Sequence, residues 1–149
     1  MKSSDEQGFT LIEALITLFL ISLLTSLPYY HSKQSAISIE EDMFFSSVEA
    51  EMNKMQLYAI TSGLRTQVIF TSQAVFFNVP SDSEHPYTSR LDYPETVSKI
   101  RNDTFLFNFL PYTGRTNKFG NITFNLSKGE LSIVFQISNG RYRIQRTPV

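Results

Sequence analysis

The feature that most constrains this chain is a nineteen-residue apolar run, Phe9–Leu27, near its start. With one exception, the polar side chains in the run are hydroxyls: Thr10, Thr17, Ser22, Thr25 and Ser26. The run is long enough for a short membrane-spanning helix, so we predict a transmembrane and assembly helix over residues 9–27. The exception is Glu13. A lone carboxylate at membrane depth costs about 2.5–3.5 kcal/mol on insertion scales, and such residues usually have a function.

Two ordinary explanations of the run leave that glutamate unexplained. A secretory signal peptide has a basic start and a small-x-small cleavage site. Here Lys2 is opposed by Asp5 and Glu6, and residues 22–32 contain no small-x-small pair. A plain signal anchor accounts for the length of the run but not for a carboxylate inside it.

The segment Gly8-Phe9-Thr10-Leu11-Ile12-Glu13 resembles the class III signal of type IV pilins and pseudopilins. The resemblance implies that residues 1–8 are a leader, which a prepilin peptidase removes by cutting after Gly8. Phe9 would then be N-methylated, and Glu13 would stand fifth in the mature chain. The leader departs from the family pattern because it is acidic, which weakens a charge-based prediction of orientation.

In that family setting Glu13 is expected to form an assembly salt bridge. Cleavage leaves a positive amine on Phe9, and the amine of one subunit can approach the Glu13 carboxylate of its neighbour. Such a buried pair fixes register more than it adds stability. The alternative is an uncharged, snorkelling glutamate near a helix end.

Beyond Pro28 the sequence predicts a second, amphipathic half of the helix over residues 28–62, bent or broken at that proline. Apolar residues recur there with helical spacing, at Ile37, Phe44, Val48, Met52, Met55 and Ala59. The opposite face is expected to carry Glu41, Glu49, Asn53 and Lys54. Gly63 supplies a helix stop.

Residues 63–149 are predicted to form a globular β-sheet domain, which makes the fold class α+β. The expected strands are 66–70, 74–79, 97–101, 104–110, 122–126, 131–137 and 141–145, with a short pairing segment near 91–93. Phe105, Phe107 and Phe109 alternate on one face, as in a half-buried strand. Asn139-Gly140 suits a type I′ hairpin turn, and residues 80–94 are expected to form a polar loop.

Three segments of the tail carry a second resemblance: 116–124 (TNKFGNITF), 133–136 (IVFQ) and 140–144 (GRYRI). They resemble competence minor pilins of the ComGD type and the wider FimT/GspH-type minor pilins. The resemblance implies a subunit of a transformation pilus in a Gram-positive bacterium, needed for extracellular DNA uptake. It implies a single-pass cell-membrane precursor with its C-terminal domain outside, and later a place in the pilus at the cell surface. The implied partners are other major and minor competence pilins, a prepilin peptidase, an assembly ATPase and a membrane platform protein.

The charge distribution raises a separate question about DNA. Residues 1–62 hold eight acidic and three basic side chains, whereas residues 115–149 hold six basic and one acidic. Candidate DNA-binding residues are Arg115, Lys118, Arg141, Arg143 and Arg146, with Tyr112 and Tyr142 as possible stacking platforms. The same charges also suit a solvated edge strand or an acidic helix of another subunit.

Nothing in the sequence predicts an enzyme. The chain has no cysteine, and neither His31 nor His85 has a recognisable catalytic or metal-ligand spacing around it, so both are expected to be solvated. We expect no cofactor and no metal. Three hypotheses follow: a structural competence pilin, a pilin that binds DNA directly, and a secretion pseudopilin or adhesin that presents the 80–94 loop.

Overall fold

The computed structural model describes residues 10–136 and 141–147, and the side chains of residues 24–35 are outside that description. The predicted leader, the cleavage point at Gly8 and Phe9, the side chain of His31 and the Asn139-Gly140 turn therefore lie outside the described residues. The chain divides into two compact units, Met1–Ala36 and Ile37–Val149.

One α-helix, α1 (Leu11–Ser62), supplies residues to both units. Its helical assignment continues through Pro28, so the helix is not broken there. It ends before Gly63, whose φ of 69° is the left-handed conformation that glycine adopts freely at helix ends. Over the residues described, no helix combines the length and hydropathy expected of a membrane span.

Among the described residues, eight antiparallel strands follow and form two four-stranded sheets. The strands are β1 (Thr66–Phe70), β2 (Ala74–Asn78), β3 (Ser89–Asp92), β4 (Ser98–Lys99), β5 (Phe105–Phe109), β6 (Gly120–Leu126), β7 (Gly129–Phe135) and β8 (Tyr142–Thr147). The first sheet has the order β3-β2-β1-β5 and the second β4-β6-β7-β8. The predicted α+β class, a helix packed on antiparallel β-structure, is confirmed.

The core of the second unit forms where one face of α1 meets the inner faces of both sheets. From the helix come Phe44, Phe45, Val48, Met52, Met55 and Ala59, all buried. From the sheets come aromatic side chains that pack edge to face or tilted, such as Phe107 against Phe109 and Phe135. The predicted alternation of Phe105, Phe107 and Phe109 is confirmed, because all three side chains are buried.

Glu41 corrects the predicted polar face of α1. Instead of facing solvent it is 4% exposed. Its carboxylate oxygens accept hydrogen bonds from the Ser127 backbone N–H at 2.8 Å and from the Ser127 hydroxyl at 3.0 Å. The glutamate thus fixes the β6–β7 turn on the helix, and its polar atoms are satisfied in the way that buried groups require.

The 80–94 segment is more ordered than the expected polar loop, because it contains β3 and packs on α1. The His85 ring lies 4.7 Å from the Tyr58 ring and 5.1 Å from the Tyr87 ring, centroid to centroid. The Ser89 hydroxyl donates to a Glu51 carboxylate oxygen at 3.1 Å. His85 is therefore half-buried against two tyrosine rings, at the surface of the second unit.

Candidate assembly segment and basic surface

The first turn of α1 is closed by a reciprocal pair of side chains, Thr10 and Glu13. One oxygen of Glu13, Oε2, accepts from the Thr10 backbone N–H at 3.2 Å and from the Thr10 hydroxyl at 3.1 Å. The Thr10 hydroxyl oxygen accepts in turn from the Glu13 backbone N–H at 3.3 Å. This is a capping box, which satisfies N–H groups that a helix start otherwise leaves unpaired.

The capping box uses only part of the Glu13 carboxylate. Its second oxygen, Oε1, has no hydrogen-bond partner among the residues described. A carboxylate oxygen accepts two hydrogen bonds readily. Glu13 can therefore cap its own helix and still accept a hydrogen bond from a cation outside the chain.

Two hydroxyls of the apolar run, those of Thr17 and Ser22, bond to carbonyls of the preceding helical turn. The Thr17 hydroxyl donates to the Glu13 carbonyl at 2.6 Å, and the Ser22 hydroxyl donates to the Phe19 carbonyl at 2.8 Å. Such bonds to the preceding turn satisfy a hydroxyl without a partner from another segment. Because these two hydroxyls bond to the helix backbone, the surface between Leu11 and Leu23 consists mainly of apolar side chains.

That outer surface is uncovered. The large apolar side chains between Leu11 and Leu23 are 47–81% exposed. A helix that is hydrophobic all round is stable when lipid or other protein surrounds it. The segment therefore requires cover from outside the chain.

A smaller apolar surface lies on α1 in the second unit, on the face opposite the core. Ile39, Met43 and Leu57 are each more than half exposed there. The first two border a groove of about 540 Å³ that is also lined by Asp42, Ser46, Ser47 and Ala50. Small residues at the middle of such a groove permit a close approach by another helix. We call this surface the outer groove.

The structure does not bring the five candidate basic residues together on one surface. Arg143 lies on the outer face of the second sheet, in register with Val134 and, through it, with Asn121. Arg146 is in register with the buried Leu131, on the side that faces the helix, and forms an ion pair with Asp42. Lys118 lies beside β5, where its Nζ is 4.5 Å from the Phe105 ring centroid.

Gln136, just after β7, connects the chain near Arg115 with the chain at Arg141. Its bonds are to Arg141 itself and to Thr116, the residue after Arg115. The Gln136 N–H donates to the Arg141 carbonyl at 3.1 Å. The Thr116 hydroxyl donates to the Gln136 carbonyl at 3.0 Å. Among the described residues, neither of these two arginines nor Arg143 has an acidic partner within ion-pair distance.

The two candidate stacking tyrosines differ in accessibility. Tyr142 packs against the helix, and its hydroxyl donates to Asn53 Oδ1 at 2.8 Å. Burial and the nearby Glu49 charge raise the pKa of Tyr142 to about 12. Because its side chain lies on the face opposite Arg143, it is not available for stacking beside that arginine. Tyr112 is 73% exposed and remains accessible.

Comparison with known proteins gives information on the N-terminal segment of the chain. Residues 3–27 match the family model of the prokaryotic N-terminal methylation motif. That match supports a type IV pilin-like protein. Comparison with curated proteins and with solved structures gives no significant match.

The residues matched by the motif include Thr10 and Glu13, the two residues of the capping box. The match agrees with a membrane-anchored precursor and, in general terms, with other pilins and a prepilin peptidase as partners. Sequence reasoning found Glu13 but missed Thr10. The T-x-x-E spacing just before an apolar run was the available signal.

Proposed function

We propose that this pilin-like chain is a minor pilin of a competence type IV pilus, assembled into a filament needed for extracellular DNA uptake. The observation that carries the assembly role is the uncovered apolar segment of α1, which begins at the Thr10–Glu13 capping box. The competence role rests on the resemblance of the tail, whose matched segments fall largely on β6, β7 and β8. The role is one of assembly and not of catalysis.

Glu13 would act in assembly through its second carboxylate oxygen. The Thr10 N–H remains an amide after a cut following Gly8, so the capping box survives processing. The methylated amine of a neighbouring subunit's Phe9 would then bind Oε1. Two charges that are costly in an apolar medium would become one hydrogen-bonded pair, which selects a single register between subunits.

The remaining apolar surfaces would provide the lateral contacts of the filament. Before assembly, the segment 9–27 would hold the precursor in the cell membrane as a single span, with the second unit outside. An ATPase and a platform protein would move it into the filament. There the segment would be covered by other pilins, and the outer groove would receive an apolar helix from one of them.

The proposal is tested by transformation frequency in the natural host. Glu13→Ala is expected to reduce transformation as strongly as deletion of the whole chain, because the register contact is lost. Glu40→Ala is the matched control, since Glu40 is an exposed glutamate of the same helix. Normal transformation in the deletion strain would refute the competence role, and normal transformation with Glu13→Ala would refute the role of the pair.

A second candidate function is direct DNA binding, favoured by the unpaired Arg115, Arg141 and Arg143. The test is salt-dependent DNA binding by the full chain in detergent micelles. Arg141→Gln with Arg143→Gln should weaken binding and reduce its dependence on salt, because fewer counterions are released. Arg146→Gln is the control, since Asp42 already neutralises that guanidinium. Equal effects of the double variant and the control would refute a specific basic surface.

A further inference from the structure

A cleft of about 420 Å³ opens in the second unit between β5 and β6, beside the point where β4 ends. It is lined by Lys99, Ile100, Arg101, Asp103, Phe105, Lys118, Gly120, Asn121, Ile122, Thr123 and Glu130. The volume lies within the range of small-molecule sites. Glycine is needed at its floor, because a Cβ on Gly120 would lie 2.9 Å from the Phe105 ring.

The cleft exists because β4 is short. Only Ser98 and Lys99 pair with β6, opposite Asn125 and Phe124, and the Ile100 N–H then donates to the Thr123 carbonyl at 2.9 Å. Backbone groups of an antiparallel strand point to the same neighbour at every second residue. The N–H of Asn121 therefore points to the side of β4, but the chain after Ile100 has left the ladder. This N–H has no partner among the residues described.

Lys99 organises the loop at the mouth of the cleft. Its side chain is buried, and its ammonium donates to the Arg101 carbonyl at 2.8 Å, to the Asp103 carbonyl, and to Asp103 Oδ1 at 3.0 Å. The hydrogen bond from Lys99 holds the pKa of Asp103 below its ordinary value. All three protons of the ammonium are used, so Lys99 is a positioning residue that folds residues 100–104 around itself.

Two other cations at the cleft form no ion pair with the loop or with any other described residue. Arg101 and Lys118 are exposed, and neither has a carboxylate within ion-pair distance among the described residues. With Lys99 and Asp103 neutralising each other, the remaining charges of the lining are these two cations and Glu130. The lining is therefore net positive.

We propose that this cleft binds the phosphate group of a small phosphorylated molecule. Arg101, Lys118 and the Asn121 N–H approach it from β4, β6 and the loops beside them, and a tetrahedral phosphate accepts hydrogen bonds from several directions. A planar carboxylate would be satisfied by the fork of one arginine. The space left beside a phosphate accommodates a sugar-sized group against Phe105, next to the Asn121 and Thr123 side chains.

The experiment is an NMR titration of the isotope-labelled full chain in detergent micelles with inorganic phosphate and with 2′-deoxyadenosine 5′-monophosphate, at constant ionic strength. Both should shift the Asn121 and Gly120 amide signals saturably, and the nucleotide should bind more tightly. Arg101→Gln with Lys118→Gln should weaken binding by about tenfold or more, because two charged donors are lost. Neither amide signal depends on processing at Gly8 or on filament assembly, so the two proposals can fail separately.

Lys128→Gln and Arg65→Gln are the matched controls, because both residues are exposed cations that do not line the cleft. Their affinities should equal that of the unchanged chain. The proposal is overturned if neither ligand gives saturable shifts. It is also overturned if the double variant binds normally or if the controls lose as much affinity as it does.

Discussion

Two stretches of the same helix, residues 11–23 and residues 41–59, differ in where their apolar side chains find contacts. In the second stretch one face is apolar, and Val48, Met52 and Met55 are fully buried against the two sheets. In the first stretch apolar side chains lie all round the helix and are exposed. The second stretch is completed within the chain, whereas the first needs a membrane or other subunits.

Polar groups show the same contrast. In the second unit Glu41 reaches a loop far along the chain, at Ser127. In the first unit Thr10 and Glu13 bond to each other, and the Thr17 hydroxyl bonds to the preceding turn of the same helix. A segment that satisfies its own polar atoms can exchange lipid for protein without losing a hydrogen bond, which is what insertion followed by assembly demands.

The largest expected effect compares two phenylalanines, one in each of the two units. Phe107 is fully buried in the second unit, whereas Phe19 is 63% exposed in the first. Phe107→Ala should lower the free energy of unfolding of the second unit by about 3–5 kcal/mol. Phe19→Ala should change it by less than about 0.5 kcal/mol. Urea unfolding of the full chain in micelles, followed by the near-ultraviolet circular dichroism of the tyrosines, measures both. A large loss with Phe19→Ala would break the comparison.

The contrast between buried and exposed side chains can also be tested within α1, with two of its methionines. Met52 faces the core and is fully buried, while Met43 borders the outer groove and is 65% exposed. Met52→Ala should cost about 2–4 kcal/mol in the same unfolding experiment, and Met43→Ala less than about 0.5 kcal/mol. In the host, Met43→Ala should reduce filament assembly, because under the proposal this exposed side chain contacts a neighbouring subunit. Stable filaments with Met43→Ala would argue against the outer groove as a contact.

An intermediate effect is expected at Glu41. Glu41→Ala leaves the Ser127 N–H and hydroxyl without their acceptor and should cost about 1–3 kcal/mol of unfolding free energy. Glu40→Ala, on the neighbouring exposed glutamate, is the control and should be near neutral. If both variants had the same stability, the Glu41–Ser127 contact would not hold the β6–β7 turn.

The smallest effect is a pH dependence at Tyr142. Its pKa is raised from 10.0 to about 12, so the folded state favours the protonated phenol. The resulting stabilisation is complete below pH 10 and is lost as the pH rises towards 12. Because the phenol is partly exposed, we expect a contribution of about 1 kcal/mol. Urea midpoints at pH 9 and pH 11 should fall less in Tyr142→Phe than in the unchanged chain, and Tyr112→Phe is the exposed control. Equal falls in all three chains would contradict the assignment.

Much of the fold follows from local pattern. The helical spacing of Ile37, Phe44, Val48, Met52, Met55 and Ala59 predicted a core face; Ile37 is half-buried and the other five are buried. The alternation from Phe105 to Phe109 predicted a strand, and β5 spans those residues. Periodicity of this kind is fixed by backbone geometry and needs no information from distant residues.

What the sequence did not reveal depends on contacts between distant residues. Glu41 has a helical position on the buried face, but its partner lies in a turn between two strands, which no local pattern reveals. The division into two sheets depends on β1 pairing with β5, although three strands lie between them in the chain, and no local pattern specifies this. The cleft was missed for the same reason, because the sequence predicted a strand over 97–101, whereas β4 ends at Lys99.

The basic tail was predicted in part. Alternation placed Arg141 and Arg143 on one side of the last strand, and Arg143 lies on the outer face of β8. Arg146, three residues further on, falls on the opposite side and meets Asp42. Strand parity alone would have separated it from Arg143, but only the structure supplies its partner.

The most direct test of the pilin-like account is the mass of the chain purified from its natural host, with and without the prepilin peptidase. The account predicts that, with the peptidase, the chain begins at Phe9 and carries one added methyl group. Without it, the chain should keep residues 1–8. A chain that keeps those residues in both strains would contradict processing at Gly8, and Glu13 would then be a helix cap without an assembly role.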